Sequence, residues 1–300
     1  MVFSLTHGRI IGGLATTPDL AAALSDYRDR LGLTLVEQGP VPSELAASWG
    51  APGVAGARMA TLQPTSGAHC FVRLVEQPLP PDFAPTRTFG WNAFEITVQD
   101  VFGWPERLAG SGFDIVGLPR EIPGLPYFVA MQMLGRGREM IYLNEVRSDT
   151  PSSDLPRAAS PVDHLFIVIL GVPDRVAAMR WYQERLGLDA GGTYTIEYTM
   201  INAAFGLPKG TPSTISMLQK GRTPIVEVDG YPPQATPRAT ALEMLPPGNA
   251  LVTLAVDTLD RDLPFVTAPA HRDGPLYAGK RTATVRGPAG ELLELVETGR

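Results

Sequence analysis

The sequence has a single cysteine, Cys70, in 300 residues, so it cannot close an intrachain disulfide. That fits a reducing compartment and excludes a small disulfide-stapled scaffold. Positive charge is also scarce: 25 basic residues against 31 acidic ones leave a formal charge of −6. Proteins that bind nucleic acid or dock on anionic lipid rely on the opposite sign. No apolar run approaches the roughly 18 residues of a membrane-spanning helix. The start, Met-Val-Phe-Ser-Leu-Thr-His-Gly-Arg, lacks the basic and continuous apolar regions of a secretory signal. There is no P-loop, dinucleotide fingerprint, nucleophile elbow or His-Glu-x-x-His. These absences lead us to expect a cytoplasmic protein with small-molecule partners, or a second copy in a homodimer, and neither nucleic acid nor membrane.

What is present is ordinary globular usage, 44% apolar and 19% charged, over a length that fits two domains. An internal repeat is visible. Asp19, Tyr27 and Leu31-Gly32-Leu33 recur 155 residues later as Asp174, Tyr182 and Leu186-Gly187-Leu188. Asn92-Ala93 with Asp100 recurs 157 residues on as Asn249-Ala250 with Asp257. Leu134-Gly135-Arg136-Gly137 is echoed by Arg286-Gly287-Pro288-Ala289-Gly290. Five landmarks in one order indicate duplication. Arg147 to Pro161 is rich in Ser, Pro and charge and divides the halves, 1–150 and 151–300. Pro-rich joints at Pro78 to Pro85 and Tyr231 to Pro247 divide each half again. In units one and three an apolar strand is followed by Pro-Asp, the start signal for a helix. Leu20, Leu24, Tyr27 and Leu31, and likewise Ala178, Met179, Tyr182 and Leu186, then give one buried helix face before a Gly stop. Short Val-, Leu-, Phe- and Thr-rich strands follow, so each unit is expected to be β-α-β-β-β.

An opening strand, Pro-Asp before a helix, and Tyr27 to Leu33 or Trp181 to Leu188 resemble the vicinal oxygen chelate superfamily. So does Gly287-Pro288-Ala289-Gly290-Glu291-Leu292-Leu293-Glu294. That group includes glyoxalases, bleomycin-resistance proteins and extradiol dioxygenases. The resemblance implies an α+β fold in which four βαβββ modules pair into two curved mixed-sheet domains, one per half. It also implies metal ligands on the first and last strands of the modules, holding an ion that an oxygenated substrate chelates.

In the first half those positions hold Gly12, Ala93, Arg73 and Tyr142, which argues for a non-catalytic pair. In the second half His164, Glu227 and Glu294 are expected to hold a divalent metal such as Fe, Mn, Zn or Ni. An insertion near Leu170 is needed to bring His164 into place; without it, Ile167 takes the position. Catalytic roles fall to Glu294, Tyr198 and Tyr277, and substrate contacts to Tyr194, Asn249 and Arg281. The expected function is a metal-dependent lyase or isomerase acting on a small oxygenated, possibly aromatic, substrate, with Glu294 moving a proton. Two alternatives stand beside it: a metal-free binding protein of the bleomycin-resistance type, and an extradiol ring-cleaving dioxygenase in which Asn249 replaces a histidine.

Overall fold

A computed structural model describes residues 6–122 and 125–299, with side chains from 122 to 125 left aside. Met1 to Leu5, which open the stretch read above for a secretory signal, lie outside them. Module one contains β1 (Ile10–Thr17), α1 (Leu20–Ser25), β2 (Thr34–Pro40), α2 (Ser43–Ser48), β3 (Arg58–Gln63) and β4 (Phe71–Glu76). Module two contains β5 (Gly90–Val98), α3 (Trp104–Arg107), β6 (Asp114–Ile122), β7 (Leu125–Leu134) and β8 (Met140–Val146). Module three contains β9 (Val162–Val172), α4 (Arg175–Leu186), β10 (Asp189–Glu197), α5 (Thr199–Phe205), β11 (Pro212–Lys220) and β12 (Thr223–Gly230). Module four contains β13 (Asn249–Val256), β14 (Ala270–His271), β15 (Arg281–Arg286) and β16 (Leu292–Glu297).

The expected helices start where the sequence signals them. Asp19 and Asp174 each cap their helix by accepting a backbone N–H three residues on. Gly187 ends α4 in the left-handed conformation that favours glycine. After α1 the chain continues as a π turn over Asp26–Arg30, which keeps Tyr27 and Leu31 on the buried face. Module four departs from the pattern: among its described residues there is no helix. Pro264 restricts Leu263 and lacks an N–H, so the segment after β13 packs Leu259 and Leu263 into the core as a loop.

The sheets pair across the sequence halves rather than within them. Sheet one has the order β14-β15-β16-β13-β1-β4-β3-β2, joining module four to module one. Sheet two has the order β10-β11-β12-β9-β5-β8-β7-β6, joining module three to module two. The opening strands meet antiparallel at each centre, β1 with β13 and β5 with β9. Alternation then sends Val252, Leu254, Leu293 and Leu295 of sheet one, and Val168, Leu170, Ile141 and Leu143 of sheet two, into one shared core with α1 and α4. The opposite, outer face of each curved sheet carries the positions at which the sequence points to chemistry.

Candidate functional site

The outer face of sheet one is closed. Val41, Leu45, Trp49 and Val54 pack on Ile11, Leu14, Phe71 and Leu251 and cover it. Beneath them lies Glu294, 1% exposed, beside Arg73, also 1% exposed. Arg73 sits on β4 and Glu294 on β16, with β1 and β13 between them; β1 presents Gly12 opposite Thr253. The guanidinium donates to Glu294 Oε2 at 2.7 Å, to Thr253 Oγ1 at 2.7 Å and to the Tyr277 hydroxyl at 2.6 Å. Trp49 Nε1 and the Tyr277 hydroxyl donate to Glu294 Oε1, both at 2.9 Å, and Thr253 donates to Oε2 at 2.8 Å. Burial opposes the charge on Glu294, but Arg73 and these donors outweigh it and hold the carboxyl below its usual range. Glu294 and Tyr277 therefore belong to a filled structural network with its own cation.

The outer face of sheet two is also buried at its centre, but among the described residues it gathers carboxyls with no cation beside them. Alternation on β8 places Tyr142 and Asn144 on it, on β5 Ala93 and Glu95, on β9 Ile167 and Ile169, and on β12 Glu227 and Asp229. Glu227 is half-buried, opposite Met217 of β11, while Glu95 and Asp229 are buried. Burial pushes the Glu227 carboxyl up to about 7, with Tyr198 and Asp229 partly offsetting the rise. Glu95 and Asp229 are raised well above the ordinary carboxylate range, by burial first and then by the charge of Glu227. Tyr198, which precedes α5, sets its hydroxyl 3.2 Å from that of Tyr142. The result is two carboxyls, Glu95 and Asp229, that retain protons near neutrality and a third, Glu227, that titrates there, beside two phenol hydroxyls and an apolar floor.

Other expected site residues are placed elsewhere. His164 lies at the start of β9, its Nδ1 3.4 Å from Asp163, and Ile167 stands across from Glu95 instead. The extra residues on β9 are taken up by register shifts against β5, so they do not bring His164 forward. Asn249 clamps β8, accepting from Met140 N at 2.9 Å and donating to Met140 O at 3.1 Å. Arg281 pairs with Asp260 and Glu297 near the surface. Tyr194 is 41% exposed on β10, an end strand of sheet two. Of the expected metal set, Glu227 lies on sheet two and Glu294 on sheet one, so the three ligands do not converge.

Two clefts lie away from this group. One, of about 300 Å³, runs between α4 and β10, lined by Arg175, Met179 and Gln183. The other, of about 160 Å³, lies where Arg238 and Asn249 meet Trp91 and Glu291. The first has neither carboxyl nor imidazole in its walls, and the carboxyl of the second is bound to Tyr182.

No family model and no curated protein matches the sequence. Solved structures do. Glyoxalase I from Zea mays superposes with TM-score 0.62 at 18% identity, covering 97% of this chain and 92% of that one. A point variant of the same maize enzyme gives 0.64 at 19% over the same shares. A Bacillus subtilis protein, named as a dioxygenase candidate, gives 0.63 at 10%, covering 99% of this chain and 87% of that one. This is the vicinal oxygen chelate fold. At these identities the likeness speaks for the fold alone, and the site is argued from its own residues.

The divalent metal expected from the sequence resemblance does not fit the residues here. On sheet one Glu294 already faces the Arg73 guanidinium, which an ion would have to displace. On sheet two Glu95 and Asp229 keep their protons, and among the described residues no three His, Cys, Asp or Glu side chains form a group able to hold an ion.

Proposed function

We propose that this chain binds a small oxygenated molecule on the outer face of sheet two and moves a proton on it, as an isomerase or lyase does. Glu227 is the acid–base group. The observation that carries the reading is its position: a half-buried carboxyl, with a pKa of about 7, between Asp229 and Tyr198. At that pKa the group accepts and returns a proton at neutral pH with little driving force lost in either direction. The Tyr142 and Tyr198 hydroxyls, 3.2 Å apart, stand where they can donate to a substrate carbonyl oxygen and hold the charge that develops when an adjacent C–H is broken. Asp229, kept protonated by burial and by Glu227, supports the ionised form of Glu227 through their shared hydrogen bond. Ile167, Ile169 and Met217 supply an apolar surface that lets water be excluded when the substrate is seated.

The test is solvent-deuterium incorporation at the carbon next to a carbonyl, followed by NMR over a panel of small hydroxy- and keto-carbonyl compounds. Glu227→Gln is expected to lower exchange at least ~100-fold while changing binding only a few-fold. Binding with no exchange by the natural chain would favour the second reading, a sequestering protein, for which the apolar floor is the supporting observation.

A further inference from the structure

The carboxyl group on sheet two is short of donors. Only neutral groups offset the rise of its members: Asn144 acts on Glu95, and Tyr198 and Asp229 act on Glu227. Among the described residues no arginine, lysine or histidine lowers any of the three, whereas on sheet one Arg73 does this for Glu294. Acceptor capacity is left over. Asn144, 0% exposed, donates its amide to Glu95 at 3.0 Å and leaves its own Oδ1 without a donor. Asp229, 1% exposed, has no donor on either oxygen beyond the proton it shares with Glu227. Buried acceptors left unpaired are costly, and here they come from β8 and β12 on the same face of one sheet.

We propose that the molecule bound on this face carries a protonated amine, seated among Glu95, Glu227, Asp229 and the Asn144 carbonyl oxygen. An alkylammonium brings three N–H donors and no acceptor, the complement of what the face lacks. The tyrosine rings of Tyr142 and Tyr198 add the attraction of a cation for an aromatic face. A bare metal ion demands oxygens converging at about 2.0 to 2.6 Å, and these carboxyls form no such group. The larger ammonium reaches donor-poor oxygens spread over several strands. The inference rests on the outer face of sheet two being the substrate site and adds the class of substrate.

The groups facing an amine there are Glu95 from β5, Tyr142 from β8, Glu227 and Asp229 from β12, Tyr198 before α5, and Tyr231 after β12 with Arg238 beyond it. Seating a cation must drive off protons that these carboxyls hold in the free protein. Calorimetry on the full chain with benzylamine, benzyl alcohol and zinc, in PIPES and in HEPES, which carry no primary amine and differ in ionisation enthalpy, reads both affinity and proton release. Benzylamine is expected to bind at least tenfold tighter than benzyl alcohol, to tighten about tenfold between pH 6 and pH 8, and to release protons at pH 7. Glu227→Gln and Asp229→Asn should each shrink the amine preference by about tenfold. Equal affinity for amine and alcohol, both lost in Met217→Trp, would overturn the amine while keeping the site. Zinc bound in place of benzylamine, and lost in the same variants, would overturn it in favour of a metal. If neither organic probe binds, both the amine and the site reading fall.

Discussion

Glu294 and Glu227 show how far a residue's meaning depends on what faces it. Both are strand carboxylates with apolar neighbours in sequence, and from sequence both are expected to bind metal. Glu294 meets Arg73 and becomes a buried ion pair; Glu227 meets two more carboxyls and titrates near neutrality. Removing only the cation should therefore be severe. Arg73→Met is expected to cost about 3–5 kcal/mol in urea unfolding, because it leaves Glu294 charged and uncompensated. Arg73→Met with Glu294→Leu should regain most of that loss, and a double variant no more stable than the single would disprove the pairing. At Asp229 the sign reverses. Its folded pKa lies above its unfolded value, so stability present at low pH is lost as pH rises through the folded pKa. Asp229→Asn should accordingly raise Tm, and by more at pH 8 than at pH 5. The sequence holds a signal for this group. Glu95 in Phe94-Glu95-Ile96 and Asp229 two places after Glu227 are carboxylates on one face of otherwise apolar strands. A search for histidine at ligand spacing passes over them.

At the scale of elements, both repeated landmarks acquire one explanation. Tyr27 at the end of the first helical segment donates to Glu139 at 2.8 Å, and Tyr182 on α4 donates to Glu291 at 2.7 Å. Each glutamate also accepts a backbone N–H within its own glycine turn, Gly137 in one case and Ala289 in the other. A tyrosine from one module thus holds the closing turn of the next, and each bond ties one sheet to the other. Tyr27→Phe and Tyr182→Phe are each expected to cost about 1–3 kcal/mol, since a buried carboxyl loses a donor. The turn itself is tight where the sheets touch. A Cβ on Gly137 would come 1.6 Å from the Thr16 carbonyl oxygen, so Gly137→Ala must shift backbone. Gly290, which follows Ala289 in the matching turn, has open space, and Gly290→Ala meets only the strain of φ +83°. Thermal unfolding of the two variants should show the larger drop for Gly137→Ala. The helices, glycine stops and strand alternation are legible in the sequence because they are local. The helix expected in module four does not form, as Pro264 overrides the apolar spacing around it.

For the whole molecule, protons dominate the pH dependence. Glu139, Glu227 and Glu291 are all pushed up to about 7, chiefly by burial. In the unfolded chain these groups ionise near ~4.3. Between those values the folded state binds more protons than the unfolded one, so stability falls as pH rises through the window and levels off above it. Acid loss comes lower still: Glu76, Asp257 and Glu294 have depressed pKa values, and their contribution disappears only as pH falls below the unfolded carboxylate range. Tm measured in steps from pH 3 to pH 9 should peak near pH 5. A maximum at pH 7 to 8 would contradict the burial of these glutamates. The pairing of modules is the part of the architecture least legible in the sequence. Four equal units read the same whether neighbours combine or the outer two enclose the inner two, and no local pattern distinguishes them.

That enclosure has a kinetic side. On the ribosome, the inner modules can find one another as soon as β12 has emerged, whereas β1 stays without its antiparallel neighbour until β13 is made, more than 230 residues later. Folding limited by contacts so distant along the chain is slow. During that wait the nascent first module exposes an unpaired strand edge and holds Arg73 without Glu294, and this is the interval in which a chaperone would have the most to protect.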